Sequence, residues 1–278
     1  MLRPLPTQLS PFRSVIARRP TPDQGQEAPE RVLLSSWSPP PQTPRLESDE
    51  IHVWRAALDL TASRVQSLWH VLSADEQKRA ERFYFQKDRS RYIVARGLLR
   101  TILGRYLNRA PNQLQFCYTS YGKPALVGES GKHVLRFNVS HSLDLALYAI
   151  TCGRELGVDL ERVRPDLVDQ QLAERFFSPR EVATLRTLPV NVRQEAFFAC
   201  WTRKEAYLKV RGEGVMLGLD QFDVSLVPGE PAALLGTNGD PQEALRWSLQ
   251  ELVLRSGYVA ALAVEGHDWR LTCWQWPE

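Results

Sequence analysis

Cysteine is scarce and scattered. The chain holds four in 278 residues, Cys117, Cys152, Cys200 and Cys273, with no Cys-x-x-Cys pair and no Cys/His metal spacing. That argues against a disulfide framework and a zinc finger, and predicts free thiols in a reducing, cytoplasmic setting. Long apolar runs are also missing, so no segment reaches membrane-spanning length. Neither sign of charge dominates: the net charge is +3 and the pI near 8.7. This is too mild to predict nucleic acid as a partner, and it is compatible with an acidic protein or an anionic ligand. The first twenty residues contain no acid but carry Arg3, Arg13, Arg18 and Arg19. They loosely resemble an organelle transit peptide, and the lack of a continuous apolar stretch argues against a secretory signal.

Proline is plentiful in one place. Residues 1–47 hold ten of the nineteen prolines, three of them consecutive at Pro39, Pro40 and Pro41. Such a segment resists helix and ladder, and an extended or disordered arm is expected, with Val32-Leu33-Leu34 and Trp37 docking on the body. The remainder reads as α+β in two similar halves, 48–152 and 153–278. Each mixes helices with a small sheet, and no internal sequence repeat is visible. Ser73-Ala74-Asp75-Glu76 and Ser178-Pro179-Arg180-Glu181 are capping boxes that open helices. Residues 88–106 predict a helix with Ile93, Leu98, Leu99, Ile102 and Leu103 inward and Arg89, Arg91, Arg96 and Arg100 on the other face. Strands are expected at 134–139, 145–151 and 156–161. The third is entered from a hairpin turn at Cys152-Gly153-Arg154-Glu155.

Around Trp201–Lys209 the pattern breaks its own rule. On a helix from about Val192 to Arg211, Phe197, Trp201 and Leu208 form an apolar face. Lys204 falls in the middle of that face, and Glu205 and Lys209 lie along its edge. A core stripe normally excludes charge, so these three require partners. One lysine alone is most simply a snorkelling side chain. Gly157-Val158-Asp159-Leu160-Glu161 offers an explanation. On a strand Asp159 and Glu161 share a face, and two neighbouring carboxylates repel unless a cation sits between them. A lone D-x-E is usually a solvated edge. Glu205 as a third carboxylate makes an all-oxygen set suited to Mg²⁺ (or Mn²⁺), with Lys204 and Lys209 beside it for phosphate oxygens. Asn138-Val139-Ser140-His141-Ser142, with Asp144 near, invites a hydrolase triad. The crowding of Ser, His and Asp into a few residues argues against one, and a phosphate or ribose contact suits a strand end better. Lys123 in Tyr121-Gly122-Lys123-Pro124 projects from a turn.

The segments Gly157–Glu161 and Phe198-Ala199-Cys200-Trp201-Thr202-Arg203-Lys204-Glu205-Ala206-Tyr207-Leu208-Lys209 resemble the paired signatures of the 4′-phosphopantetheinyl transferases. Tyr121–Pro124 and Phe137–Ser142 resemble the two upstream motifs of the larger, Sfp-type branch. The resemblance covers about residues 50–270 and implies a pseudo-twofold monomer with coenzyme A bound between its halves. It implies transfer of phosphopantetheine from coenzyme A to a carrier-protein serine, with 3′,5′-ADP as the other product. Asp159, Glu161 and Glu205 then resemble the metal ligands, and Lys204 and Lys209 the pyrophosphate contacts. Ser140 and His141 resemble contacts to the nucleotide phosphates, with Lys123 near the adenine and Arg91 and Arg96 toward the 3′-phosphate. Asp159, Lys204 and Glu205 are the expected catalytic set. Flanked by two lysines, Glu205 is expected to stay ionised and be a weak base. The partner would be an acidic helical carrier protein, docking near Phe176 and Phe177. No nucleic-acid or membrane partner is expected. Two rival readings use the same residues: a Mg²⁺-dependent phosphodiesterase and a non-catalytic coenzyme A-binding module.

Overall fold

The computed structural model describes residues 36–120, 122–128, 134–164, 170–212, 218–240 and 242–277. Val32-Leu33-Leu34, most of the proline-rich arm, Tyr121 and the Glu213-Gly214 pair lie outside the described residues. The chain is α+β, with two main sheets and two small hairpins among the described residues.

The first sheet has five strands in the order β1-β12-β2-β6-β5. These are β1 (Trp37–Ser38), β2 (Glu50–Ala57), β5 (Leu135–Ser142), β6 (Leu145–Cys152) and β12 (Arg270–Gln275). The last strand of the chain therefore lies in the sheet of the first half, parallel to β2 with Cys273 opposite Val53. Trp37 docks as expected: β1 pairs with β12, the indole N–H donates to Val253 O at 2.8 Å, and Arg55 lies over the ring. The second sheet has the order β10-β11-β7, with β7 at Leu156–Arg162, β10 at Trp247–Glu251 and β11 at Tyr258–Glu265. The hairpins are β3 (Phe116–Tyr118) with β4 (Pro124–Leu126), and β8 (Phe222–Val224) with β9 (Leu234–Thr237).

Side-chain alternation sorts the core into layers. Along β6, Ala146, Tyr148 and Ile150 face α3 (Gln86–Leu107), where Val94, Leu98 and Ile102 meet them. Leu145, Leu147 and Ala149 face the other way, onto Leu156, Val158 and Leu160 of β7 and Leu262 and Val264 of β11. The far side of the second sheet, through Ala261 and Ala263, packs on α6 (Val190–Arg211) with Phe197, Trp201 and Leu208. The order is helix, sheet, sheet, helix. With both faces covered, β6 is buried nearly end to end and reads as a continuous apolar run. The turn at 153–155 is not a hairpin: it carries the chain from one sheet to the next, and β7 pairs with β11.

Both capping boxes form, and each does more than open a short helix. Ser73 caps α2 (Ala74–Ala80) and Ser178 caps α5 (Pro179–Thr187). Glu76 accepts the Ser73 N–H at 3.0 Å and then reaches α3, where Arg100 Nε meets its Oε2 at 2.6 Å and Arg96 Nε its Oε1. Arg100 Nη1 also donates to Pro111 O, at the start of the 3₁₀ turn Pro111–Gln113, and to Leu114 O just after it. Glu181 accepts the Ser178 N–H at 2.9 Å and the Val224 N–H at 2.8 Å, and receives Lys204 Nζ from α6 at 2.7 Å. Lys204 donates on to Leu219 O and Phe222 O, which bracket the 3₁₀ turn Leu219–Gln221. Arg100 and Lys204 occupy the same position along helices of 22 residues each.

Candidate active site

Three elements meet where the halves join: β5, β7 and α6. Gly157 lets them come close. A Cβ there would stand 2.2 Å from Ala206 O and 2.7 Å from Val210 N, so only glycine lets α6 lie this near β7. The strand's period then sends Val158 and Leu160 into the inter-sheet core, while Asp159 and Glu161 turn to the α6 side. Both acids are nearly buried, at 4% and 6% exposure.

Lys209 reaches from α6 to Asp159 Oδ1 at 2.6 Å, to Ser140 Oγ at 3.0 Å and to Val158 O at 3.0 Å. Ser140 Oγ donates to Asp159 Oδ1 at 3.0 Å, and Ser142 Oγ donates to Glu161 Oε2 at 2.9 Å. Asp159 Oδ2 is buried and receives no hydrogen bond from the described residues. Glu205 completes the acidic set. Burial, then the charge of Asp159, pushes its carboxyl up to about 7, with Lys209 opposing. This departs from the firmly ionised Glu205 expected, because burial and the charge of Asp159 outweigh Lys209, while Lys204 is turned to Glu181.

Lys204 is the main correction. It does sit in the apolar face of the helix, fully buried at 0% exposure. Its ammonium is spent on Glu181, Leu219 O and Phe222 O, with Nζ 4.3 Å from the centroid of the Phe222 ring. Those three acceptors match its three hydrogens, so none remains for a phosphate. The sequence did contain its partner: the capping-box Glu181 keeps carboxylate lone pairs to spare after its cap bond.

The other expected contacts are distributed more widely. Ser140 is buried in the seam rather than open at a strand end, because β5 continues through Ser142. His141 alternates to the opposite face and is exposed. Asp144 is held by Arg255 and by the Tyr258 hydroxyl, so no Ser/His/Asp triad assembles around it. Arg91 forms a two-pronged pair with Asp59 at 2.6 and 2.7 Å. Arg96 pairs with Glu76 and donates to the Tyr118 hydroxyl. Phe177 packs on Phe197 in the core, which removes it from the expected docking face, while Phe176 lies edge-on to Trp201 and stays partly exposed. Lys123 bridges the halves, meeting Glu155 at 3.1 Å and the carbonyls of Leu156 and Val210. It lines a groove of about 720 Å³ with Arg136, Phe137, Glu155, Arg211 and Trp247. Asp159, Glu161 and Glu205 are not among the lining residues of that groove.

The donor set fits a hard divalent cation. It is all oxygen, the charge of Asp159 bears on Glu205, and the buried Asp159 Oδ2 receives no hydrogen bond from the described residues. Among the described residues no three His, Cys, Asp or Glu side chains are already gathered as a cage. Mg²⁺ does not require one, since it keeps several waters and uses one or two carboxylates with substrate oxygens.

Comparison with known proteins decides the family. The model described as the 4′-phosphopantetheinyl transferase superfamily matches residues 155–263, and that described as 4′-phosphopantetheinyl transferase, N-terminal, matches 58–152. The 4′-phosphopantetheinyl transferase HetI of Nostoc sp. is 45% identical over 245 residues, 88% of this chain and 100% of that protein. The chain belongs to the 4′-phosphopantetheinyl transferase family. Within it, the Sfp-type branch is indicated by the paired N-terminal match and by Sfp of Bacillus subtilis, 29% identical over 56% of this chain and 66% of that protein. A second Bacillus subtilis 4′-phosphopantetheinyl transferase is 30% identical over 60% and 72% of the two chains. The division between the two family models falls at residues 152–155, where the chain passes from the first sheet to the second. No helix among the described residues is long and apolar enough to cross a membrane.

Proposed function

We propose that this transferase moves the 4′-phosphopantetheine arm of coenzyme A onto a serine of an acyl, peptidyl or polyketide carrier protein. The carrier Oγ–P bond forms, the pyrophosphate P–O bond breaks, and 3′,5′-ADP departs. The observation that carries the reading is the seam itself: Lys209 meets Asp159 there, and the charge of Asp159 reaches Glu205, in a chain of this family. Asp159 and Glu205 would hold Mg²⁺ (Mn²⁺ has the same preference for oxygen), with Glu161 as the third acid. Bound there, the ion would offset the charge on the pyrophosphate oxygens.

The chain's own groups supply the rest. Lys209, its three hydrogens taken by Asp159, Ser140 and Val158 O, would act on the departing 3′,5′-ADP through its charge at the edge of the acidic set, without a direct bond. We assign Glu205 as the group that takes the serine proton, since a carboxylate has a second oxygen to offer besides one that would face the ion. Lys123 stands on the nucleotide side. The groove beside Lys123 is the region we assign to the adenosine end. Phosphoryl transfer asks mainly for positioning and charge stabilisation, which this arrangement supplies. Both halves lie in one chain, and we assign the active species as a monomer with an acidic helical carrier as protein partner.

The test is mass spectrometry of candidate apo-carriers incubated with coenzyme A, Mg²⁺ and the chain. A mass gain of one phosphopantetheine on the carrier is expected. Hydrolysis of coenzyme A with the carrier unchanged would point to a phosphodiesterase, and no reaction with retained coenzyme A binding would leave a binding module.

A further inference from the structure

Strands β5 and β7 run side by side, yet β5 is bonded by its backbone to β6 and β7 to β11. The edges facing each other are joined another way. Val158 N–H donates to Asn138 Oδ1 at 3.0 Å, Leu160 N–H to Ser140 Oγ at 3.2 Å, and Arg162 N–H to Ser142 Oγ at 3.1 Å. Alternate side chains of one strand take alternate amides of the other, in register over three steps. Two of the acceptors are hydroxyls, and a hydroxyl that accepts still has a proton to give. Ser140 gives its proton to Asp159 and Ser142 gives its proton to Glu161. Each hydroxyl thus ties a carboxylate to the backbone amide of the following residue.

We propose that Asn138, Ser140 and Ser142 form a side-chain ladder that sets the register between the two halves, and that Ser142 and Ser140 are positioning residues fixing the carboxylates of Glu161 and Asp159. This rests on the metal reading of those acids for its effect on catalysis, but not for the ladder itself. The physical reasons are two. A buried strand edge must have its amides satisfied, and among the described residues side chains of β5, not its backbone carbonyls, accept these three β7 amides. A carboxylate that is to hold a metal binds more tightly when an outer hydrogen bond fixes its orientation. Asn138 carries no carboxylate and so separates the two roles: it affects register alone.

Two measurements test this. Amide hydrogen exchange on the metal-free chain is expected to show Val158, Leu160 and Arg162 protected comparably to the β7 amides bonded to β11. Rapid exchange at those three overturns the ladder, whatever the enzyme's metal requirement. Ser142→Ala and Ser142→Thr are then compared. Alanine is expected to accelerate exchange at Arg162 and to raise the half-saturating Mg²⁺ concentration roughly tenfold, leaving KM for coenzyme A within about twofold. Threonine, which keeps the hydroxyl, is expected to restore both. An alanine variant with unchanged Mg²⁺ dependence, or a loss confined to kcat, overturns the positioning role. If no variant, nor the unmodified chain, responds to Mg²⁺ at all, the metal reading fails while protected amides still support the ladder. Should Ser142→Ala not fold, Asn138→Ala serves for register: faster exchange at Val158 with Mg²⁺ dependence unchanged is expected, and unchanged exchange overturns it.

Discussion

In the N-terminal half, Glu76 is gripped by two guanidiniums, Arg96 and Arg100, inside a capping box that ties α2 to α3. In the C-terminal half, Glu181 is gripped by one ammonium, Lys204, inside a capping box that ties α5 to α6. Both cations then reach the carbonyls around the 3₁₀ turn that follows their long helix. Burial raises the Glu76 carboxyl, but the hydrogen bonds and charges of Arg100 and Arg96 outweigh it and hold the group below its ordinary value. At Glu181 burial outweighs Lys204 and the two amides, and the group rises. The same brace is thus built twice with opposite electrostatic outcomes. Its recurrence supports a pseudo-twofold relation between the halves, which we infer from it. It also explains Lys204 as the counterpart of Arg100, a helix brace. What differs is the next residue: Thr101 on α3 bonds back to Gly97 O, whereas Glu205 on α6 joins the acids of β7. One brace holds a helix in place; the other holds the helix to which we assign chemistry.

Breaking each brace should separate them. The largest effect is expected from Lys204→Ala, which strands a buried Glu181 and should cost about 3–5 kcal/mol in urea unfolding. Arg100→Ala leaves Arg96 on Glu76 and should cost less, about 1.5–3 kcal/mol by the same measurement. Gly157→Ala pushes a methyl against backbone atoms of α6 and should cost about 1–3 kcal/mol, with loss of transfer in the fraction that remains folded. A loss no greater from Lys204 than from Arg100 would undo the contrast between the braces.

The smallest effect is in pH, and there the two glutamates should differ in sign. Glu76 has its folded pKa below the ordinary 4.5, so its stabilisation is present above about pH 4.5 and is lost as pH falls through the folded value. Glu181 has its folded pKa above the ordinary 4.5, so its contribution to stability declines as pH rises from 4.5 through the folded value. Urea midpoints between about pH 3 and 8 for Glu76→Gln and Glu181→Gln should flatten the profile on opposite sides. Profiles that flatten on the same side would contradict the comparison.

Local pattern made much of this visible in the sequence. The two capping boxes and both long helices announce themselves through caps and periodicity. The shared face of Asp159 and Glu161 follows from the period of a strand. What stayed hidden depends on partners distant in the chain. The parallel pairing of β12 with β2 joins residues over two hundred positions apart, for which no local signal exists. Lys204 looked like a cation in search of an anion because its acid belongs to another helix. Asn138, Ser140 and Ser142 could have been found: small polar groups repeating at strand period are out of place in a strand interior unless they serve an adjoining edge.

The central claim is that Glu205 carries chemistry while its neighbour Lys204 only braces the helix. It is tested most directly by carrier modification measured per folded molecule in Glu205→Gln and in the double variant Glu181→Gln with Lys204→Met, which removes both buried charges together. The account predicts that the double variant keeps transfer within roughly tenfold of the unaltered chain, while Glu205→Gln loses on the order of a hundredfold or more. A folded double variant as inactive as Glu205→Gln, or a Glu205→Gln chain that still modifies the carrier at near-normal rate, would contradict it.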